Sequence, residues 1–137
     1  MPPRSRAREA AFQVLYQDDL NPRGNPAFGD ILIQDRLGDG DLAEFARSLV
    51  AGVRRHREEV DALLEQTAVN WSLGRMAATD RNVLRLGTYE LLHGDAPARV
   101  AIDEAVELAK RFGAAQSSQF VNGILDKVMH QKIVGSG

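Results

Sequence analysis

Arg4, Arg6 and Arg8 stand at alternate positions near the start of the chain, and guanidinium forks at that density suit phosphate oxygens. In a helix, Arg4 and Arg8 share one face. A local cluster of this kind can anchor RNA without making a protein basic overall, because each neutralised phosphate releases counterions. The competing reading is a solvated terminal tail. Cations at a helix start oppose its dipole, however, and that small cost favours a ligand role. A second group, Gln116, Ser117, Ser118, Gln119, Phe120 and Asn122, surrounds a turn. Phe120 is either core, at helical spacing from Ile124, or an outward ring on which an unpaired base stacks for about 1–3 kcal/mol. Gln116, Ser117, Gln119 and Asn122 then offer donors and acceptors to base edges, and single-stranded RNA is the ligand they fit.

Other chemistries find less support. His56, His93 and His130 lie far apart in sequence, with no carboxylate or second histidine at a metal-ligand spacing, so helix-end or surface placement is expected and no metal site. Asp103, Glu104 and Glu107 match a solvated helix face, with nothing apolar around them to raise a pKa. There is no cysteine, which removes thiolate zinc sites, disulfides and thiol catalysis together. No glycine-rich phosphate loop occurs either. Neither an enzyme nor a cofactor is expected.

These groups must be positioned by helices. Ala7, Ala10, Ala11, Val14 and Leu15 recur at helical spacing across 4–20, with Phe12 and Tyr16 as a pair four apart. Pro22, Gly24, Pro26, Gly29, Gly38 and Gly40 mark 21–40 as a loop with at most a short helix around 31–36. Asp41 and Glu44 resemble a capping box for a helix burying Leu42, Phe45, Ala46, Leu49 and Val53, and Val60, Leu63 and Leu64 continue after a polar break. The segment 70–79, with Trp71, Gly74 and Met76, reads as a turn joining two halves. Val83, Leu84, Gly87 and Leu91 form the next apolar face, closed by Gly94, Asp95 and Pro97. Ile102, Ala105, Val106, Ala109 and Phe112 line another helix ended by Gly113. Ser117 then caps a last helix carrying Val121, Ile124, Leu125 and Val128. Period-two alternation is absent. The expectation is an all-α fold of about six or seven helices in two small packed bundles, at about 1–70 and 71–137 of a single 1–137 domain.

The 137 residues are one domain in size, and 44% hydrophobic content can build a core. The formal charge of −2 argues against coating nucleic acid through bulk charge, so any such site must be local. No run approaches the roughly 20 apolar residues of a membrane helix and no signal segment is visible, which makes the cytoplasm the expected location.

Three blocks, RAREAAFQVLYQ at 6–17, RMAATDRNVLRLGTYEL at 75–91, and VAIDEAVELAKRFG with FVNGILDKV at 100–113 and 120–128, resemble the NusB family of transcription antitermination factors. Together, in this order and at this length, they are a specific signal; the 21–40 segment carries none of it. The resemblance implies two roughly perpendicular helical bundles and no enzymatic activity. It implies pairing with NusE, the ribosomal small-subunit protein, binding of boxA RNA by the pair, and loading onto RNA polymerase to suppress termination, notably on rRNA operons. It also places Arg4, Arg6, Arg8, Arg85, Gln116, Ser117 and Phe120 on RNA-facing positions, and Tyr16, Asp80 and Arg81 on the surface for the ribosomal partner. Ser5 stands where relatives can have another arginine, and Gln116 where some have an acidic residue. Two alternatives accompany this reading. One is the NusB-like module of an rRNA cytosine methyltransferase, disfavoured by the expectation that no catalytic segment follows Gly137. The other is a helical homodimer without an RNA role.

Overall fold

Apolar positions recurring every three and four residues give helix and nothing else among the described residues. The computed structural model describes residues 3–136, with side chains to residue 132. Within it run seven α-helices: α1 (Pro3–Leu20), α2 (Ala27–Leu37), α3 (Asp41–Arg55), α4 (Arg57–Thr67), α5 (Ala78–His93), α6 (Ala98–Phe112) and α7 (Ser117–Ser136). A single 3-10 turn, Leu73–Arg75, precedes α5. The all-α expectation is met.

The helices fall into two units, the first ending at Arg55 and the second beginning at His56. The sequence pattern puts this division near residue 70. It comes earlier because α4, whose Val60 and Leu64 are fully buried, packs on α5 and α7 and so belongs to the second unit.

In the first unit α1 packs on α3, burying Ala7, Ala10, Ala11, Val14 and Leu15, and on α3 Ala43, Ala46, Leu49 and Val53. Each fully buried Leu or Val contributes about 1.5–3 kcal/mol of transfer free energy. Arg54 clamps Asp18 through two bonds of 2.9 Å, tying the end of α3 to the end of α1. The segment read as a loop contains the eleven-residue helix α2. Its punctuating residues are boundary and contact residues rather than breakers. Asn25 Oδ1 accepts from the Ala27 N–H at 3.0 Å to open the helix, and Gly38, at φ 70°, closes it. Gly29 is interior because a Cβ there would lie 2.7 Å from Val14 Cγ1, so only glycine admits this approach to α1.

In the second unit α5 contacts α4, α6 and α7 and is buried nearly all round, through Val83, Leu84, Leu86 and Leu91. At Gly87 a Cβ would come within 2.8 Å of Leu125 Cδ1, which sets how closely α7 crosses α5. Ile102, Ala105, Leu108 and Ala109 of α6 and Val121, Leu125 and Val128 of α7 complete the core. Leu108 takes a core place that the sequence pattern gives to Val106 and Phe112, which are only half-buried.

Candidate nucleic-acid interface

The polar turn between α6 and α7 is folded by Ser117. Its Oγ accepts the Ala114 N–H at 2.9 Å, while its own N–H donates to Ala114 O at 3.0 Å. Gly113 permits this because a Cβ there would sit 2.5 Å from Ser117 Oγ. Ser117, expected to contact RNA, is therefore 4% exposed, with its Oγ engaged by the turn. Gln116 beside it is exposed.

Phe120 lies one turn further along α7 and is half-buried. Its ring meets Trp71 edge-on, with centroids 6.0 Å apart and planes at 72°. Trp71 is 55% exposed. The two rings border a hollow of about 210 Å³ whose wall also includes Arg75, Met76, Asp80 and Gln116. An aromatic edge, an amide and a guanidinium are thus gathered at one opening. Trp71 and Arg75 were missed by the sequence reading, although a lone tryptophan in a polar turn was the available signal.

Asp80, expected on the partner surface, lines this same hollow with Gln116 and Phe120. It occupies the first turn of α5, where the helix dipole favours a negative charge, yet its Oδ1 is shut away from solvent with no hydrogen-bond partner among the described residues. Arg81 is committed elsewhere. Its Nη1 donates to the carbonyls of Leu73 and Met76 at 3.1 and 3.0 Å, fastening the 3-10 turn to α5.

Arg85 is also turned inward. It is 4% exposed, with Nε and Nη2 donating to the two oxygens of Asp61 at 2.8 and 3.1 Å and Nη1 to Asn82 Oδ1 at 3.3 Å. A residue read as RNA-facing is a buried ion-pair member linking α5 to α4.

In the first unit Arg4 and Arg6 are exposed, whereas Arg8 is 2% exposed. The guanidiniums of Arg4 and Arg8 lie 4.2 and 5.2 Å from the Phe45 ring centroid. Their shared face is the one that meets α3, which is why Arg8, expected on phosphate, is buried beside Phe45. Tyr16 is half-buried, its ring 6.1 Å from that of Phe12.

This helical chain has known counterparts, and the model of the NusB family matches residues 5–130. The chain belongs to the NusB family. The transcription antitermination protein NusB of Anaeromyxobacter dehalogenans is 46% identical over 126 residues, covering 91% of this chain and 89% of its own length. Among solved structures, T. maritima NusB matches with a TM-score of 0.85 at 38% identity, covering 96% of this chain and 92% of that one. A chain in a crystal structure of antitermination factors NusB and NusE in complex with dsRNA matches at 0.85 and 32% identity, covering 95% of this chain and 98% of that one. The NusB relatives are named as regulators of transcription, and this chain shares their helical scaffold nearly end to end.

Proposed function

We propose that this NusB-family chain is an RNA-binding adaptor of transcription antitermination in the cytoplasm. It recognises boxA RNA together with NusE and joins the RNA polymerase antitermination complex, notably on rRNA operons. The observation that carries the reading is the hollow on the second unit, where Phe120, Trp71, Gln116 and Arg75 offer ring, amide and cation to one ligand. The relative solved with NusE and dsRNA supports both partners.

The roles divide by exposure. Phe120 and Trp71 supply stacking surface, Gln116 reads a base edge, and Arg75 meets a phosphate. Arg4 and Arg6 supply phosphate contacts on the first unit, with salt-dependent affinity. Ser117, Arg8, Arg81 and Arg85 hold turns and helices in place. Tyr16 and Asp80 are the candidates for NusE.

The test is a polarisation titration with single-stranded boxA-like RNA, its scrambled counterpart and a duplex, each with and without NusE. Preferential binding of boxA that tightens when NusE is added is the expected result. Equal affinity for boxA and scrambled RNA in the presence of NusE would overturn it. In the same assay Asp80→Arg should abolish the NusE-dependent gain.

A further inference from the structure

Two of the three histidines, remote in sequence, meet in the second unit. His56 caps the start of α4, Glu59 lies in the first turn of α4, and His93 is the last residue of α5. Glu59 Oε1 lies 2.6 Å from His93 Nε2 and 3.4 Å from His56 Nδ1. The imidazoles stack with centroids 4.0 Å apart and planes at 24°, and the Tyr89 ring flanks them at 5.9 and 5.8 Å. One ligand atom from each of the three residues falls within 4.8 Å of the others.

We propose that His56, Glu59 and His93 form a binding site for a divalent transition-metal ion of the zinc class. Two imidazoles and one carboxylate are a nitrogen-rich set that suits zinc, copper or nickel and not the all-oxygen shells of magnesium or calcium. Both close contacts converge on a single oxygen. A proton there bridges one pair only, whereas a cation takes a lone pair from all three groups.

The spacing is close, and the stacked imidazoles must turn about their side-chain bonds so that one ion can lie in both ring planes. Tetrahedral zinc with bonds of about 2.0–2.1 Å holds its ligand atoms about 3.3 Å apart, the spacing already found between His56 and Glu59. The His93 contact must open by about 0.7 Å, which the half-exposed Glu59 side chain allows by rotation. All three ligands sit at the ends of packed helices, so the backbone positions are fixed. A fourth position stays open to water. The bound ion would clip the start of α4 to the end of α5 and stabilise the second unit by mass action.

The experiment uses the full chain, free of any affinity tag and treated with chelator, titrated calorimetrically with zinc chloride and melted with zinc or magnesium. One zinc per chain and a melting temperature raised by zinc but not magnesium are expected. His56→Ala and His93→Ala should each weaken zinc binding about tenfold or more, and His130→Ala should leave it unchanged. Far-ultraviolet dichroism of the metal-free variants checks that they fold. Independently of any variant, the imidazole resonances of His56 and His93 in the native chain should shift on adding zinc while those of His130 stay. Absence of saturable zinc binding, zinc binding undiminished in both variants, or imidazole shifts confined to His130 would each overturn the site.

Discussion

Replacing Arg85 should damage folding and spare RNA recognition, the reverse of what a phosphate-binding arginine would do. Its guanidinium is almost fully enclosed and donates to both carboxylate oxygens of Asp61 and to Asn82 Oδ1. Deleting one partner of a fully buried pair costs about 3–5 kcal/mol, chiefly because the other charge is stranded. Asp61 keeps 25% of its side-chain exposure and a second cation, Arg57 Nε, at 2.9 Å. Water and Arg57 therefore relieve part of that cost, and the expected loss for Arg85→Ala is about 2–3 kcal/mol. At roughly 4 °C per kcal/mol for a chain of this size, the melting temperature should fall by about 8–12 °C. Thermal unfolding monitored by dichroism measures this directly. Changing both partners, Arg85→Met with Asp61→Leu, should recover most of the loss, since a well-packed apolar pair replaces a charged one at little net cost. Below its melting temperature, Arg85→Ala should bind RNA with the native salt slope. Native stability combined with a shallower slope would place Arg85 on phosphate and refute the inward assignment.

The exposed arginines should behave oppositely: Arg4→Ala with Arg6→Ala is expected to cost at most about 1 kcal/mol of stability, from the lost contact of Arg4 with Phe45, and to reduce the slope of log affinity against log salt by about 1.4 for single-stranded RNA. Phe120→Ala and Trp71→Ala should each cost about 1–3 kcal/mol of RNA affinity in a titration, and the double variant less than their sum, because the rings touch. Gly113→Ala should destabilise the fold by about 1–3 kcal/mol in denaturant unfolding, since its methyl group would collide with Ser117 Oγ at 2.5 Å. In metal-free protein, the hydrogen bond from His93, and then the charges of His93 and His56, hold the Glu59 carboxyl below its usual range. Stability from that depression is present above the unfolded-state pKa and disappears as pH falls through the lower folded-state value, so Glu59→Gln should flatten the acid limb of the melting profile. An acid limb identical to the native one would remove Glu59 from the balance.

Helical periodicity makes the scaffold legible because burial repeats along each helix: Ala7, Ala10, Ala11, Val14 and Leu15 are all buried. It fails at α2, where glycine and proline carry two meanings. Gly29 looks like a breaker in isolation but is what lets α2 approach Val14, a contact made across the first unit and invisible to local pattern. The division expected near residue 70 is displaced for a related reason. A polar turn marks where a helix stops, not which neighbours its apolar face prefers, and Val60 and Leu64 prefer α5 and α7.

The candidate site is legible in residue type more than in role. Arg4 and Arg8 are four apart and chemically identical, and both lie over Phe45 of α3, yet one is exposed and the other is 2% exposed, because Arg4 stands at the edge of that contact near the helix start. Sequence spacing tells that they share a face and cannot tell where the neighbouring helix ends. The same limit hides the meeting of His56 with His93 and of Phe120 with Trp71, both made between elements rather than along one. Ser117, Arg81 and Arg85 share a further property: each engages backbone or a carboxylate of the second unit through its side chain. A polar residue close to a ligand site therefore has two competing demands on it. Burial decides between them, and around the hollow it leaves Gln116, Phe120, Trp71 and Arg75 with surface for the RNA contact proposed above.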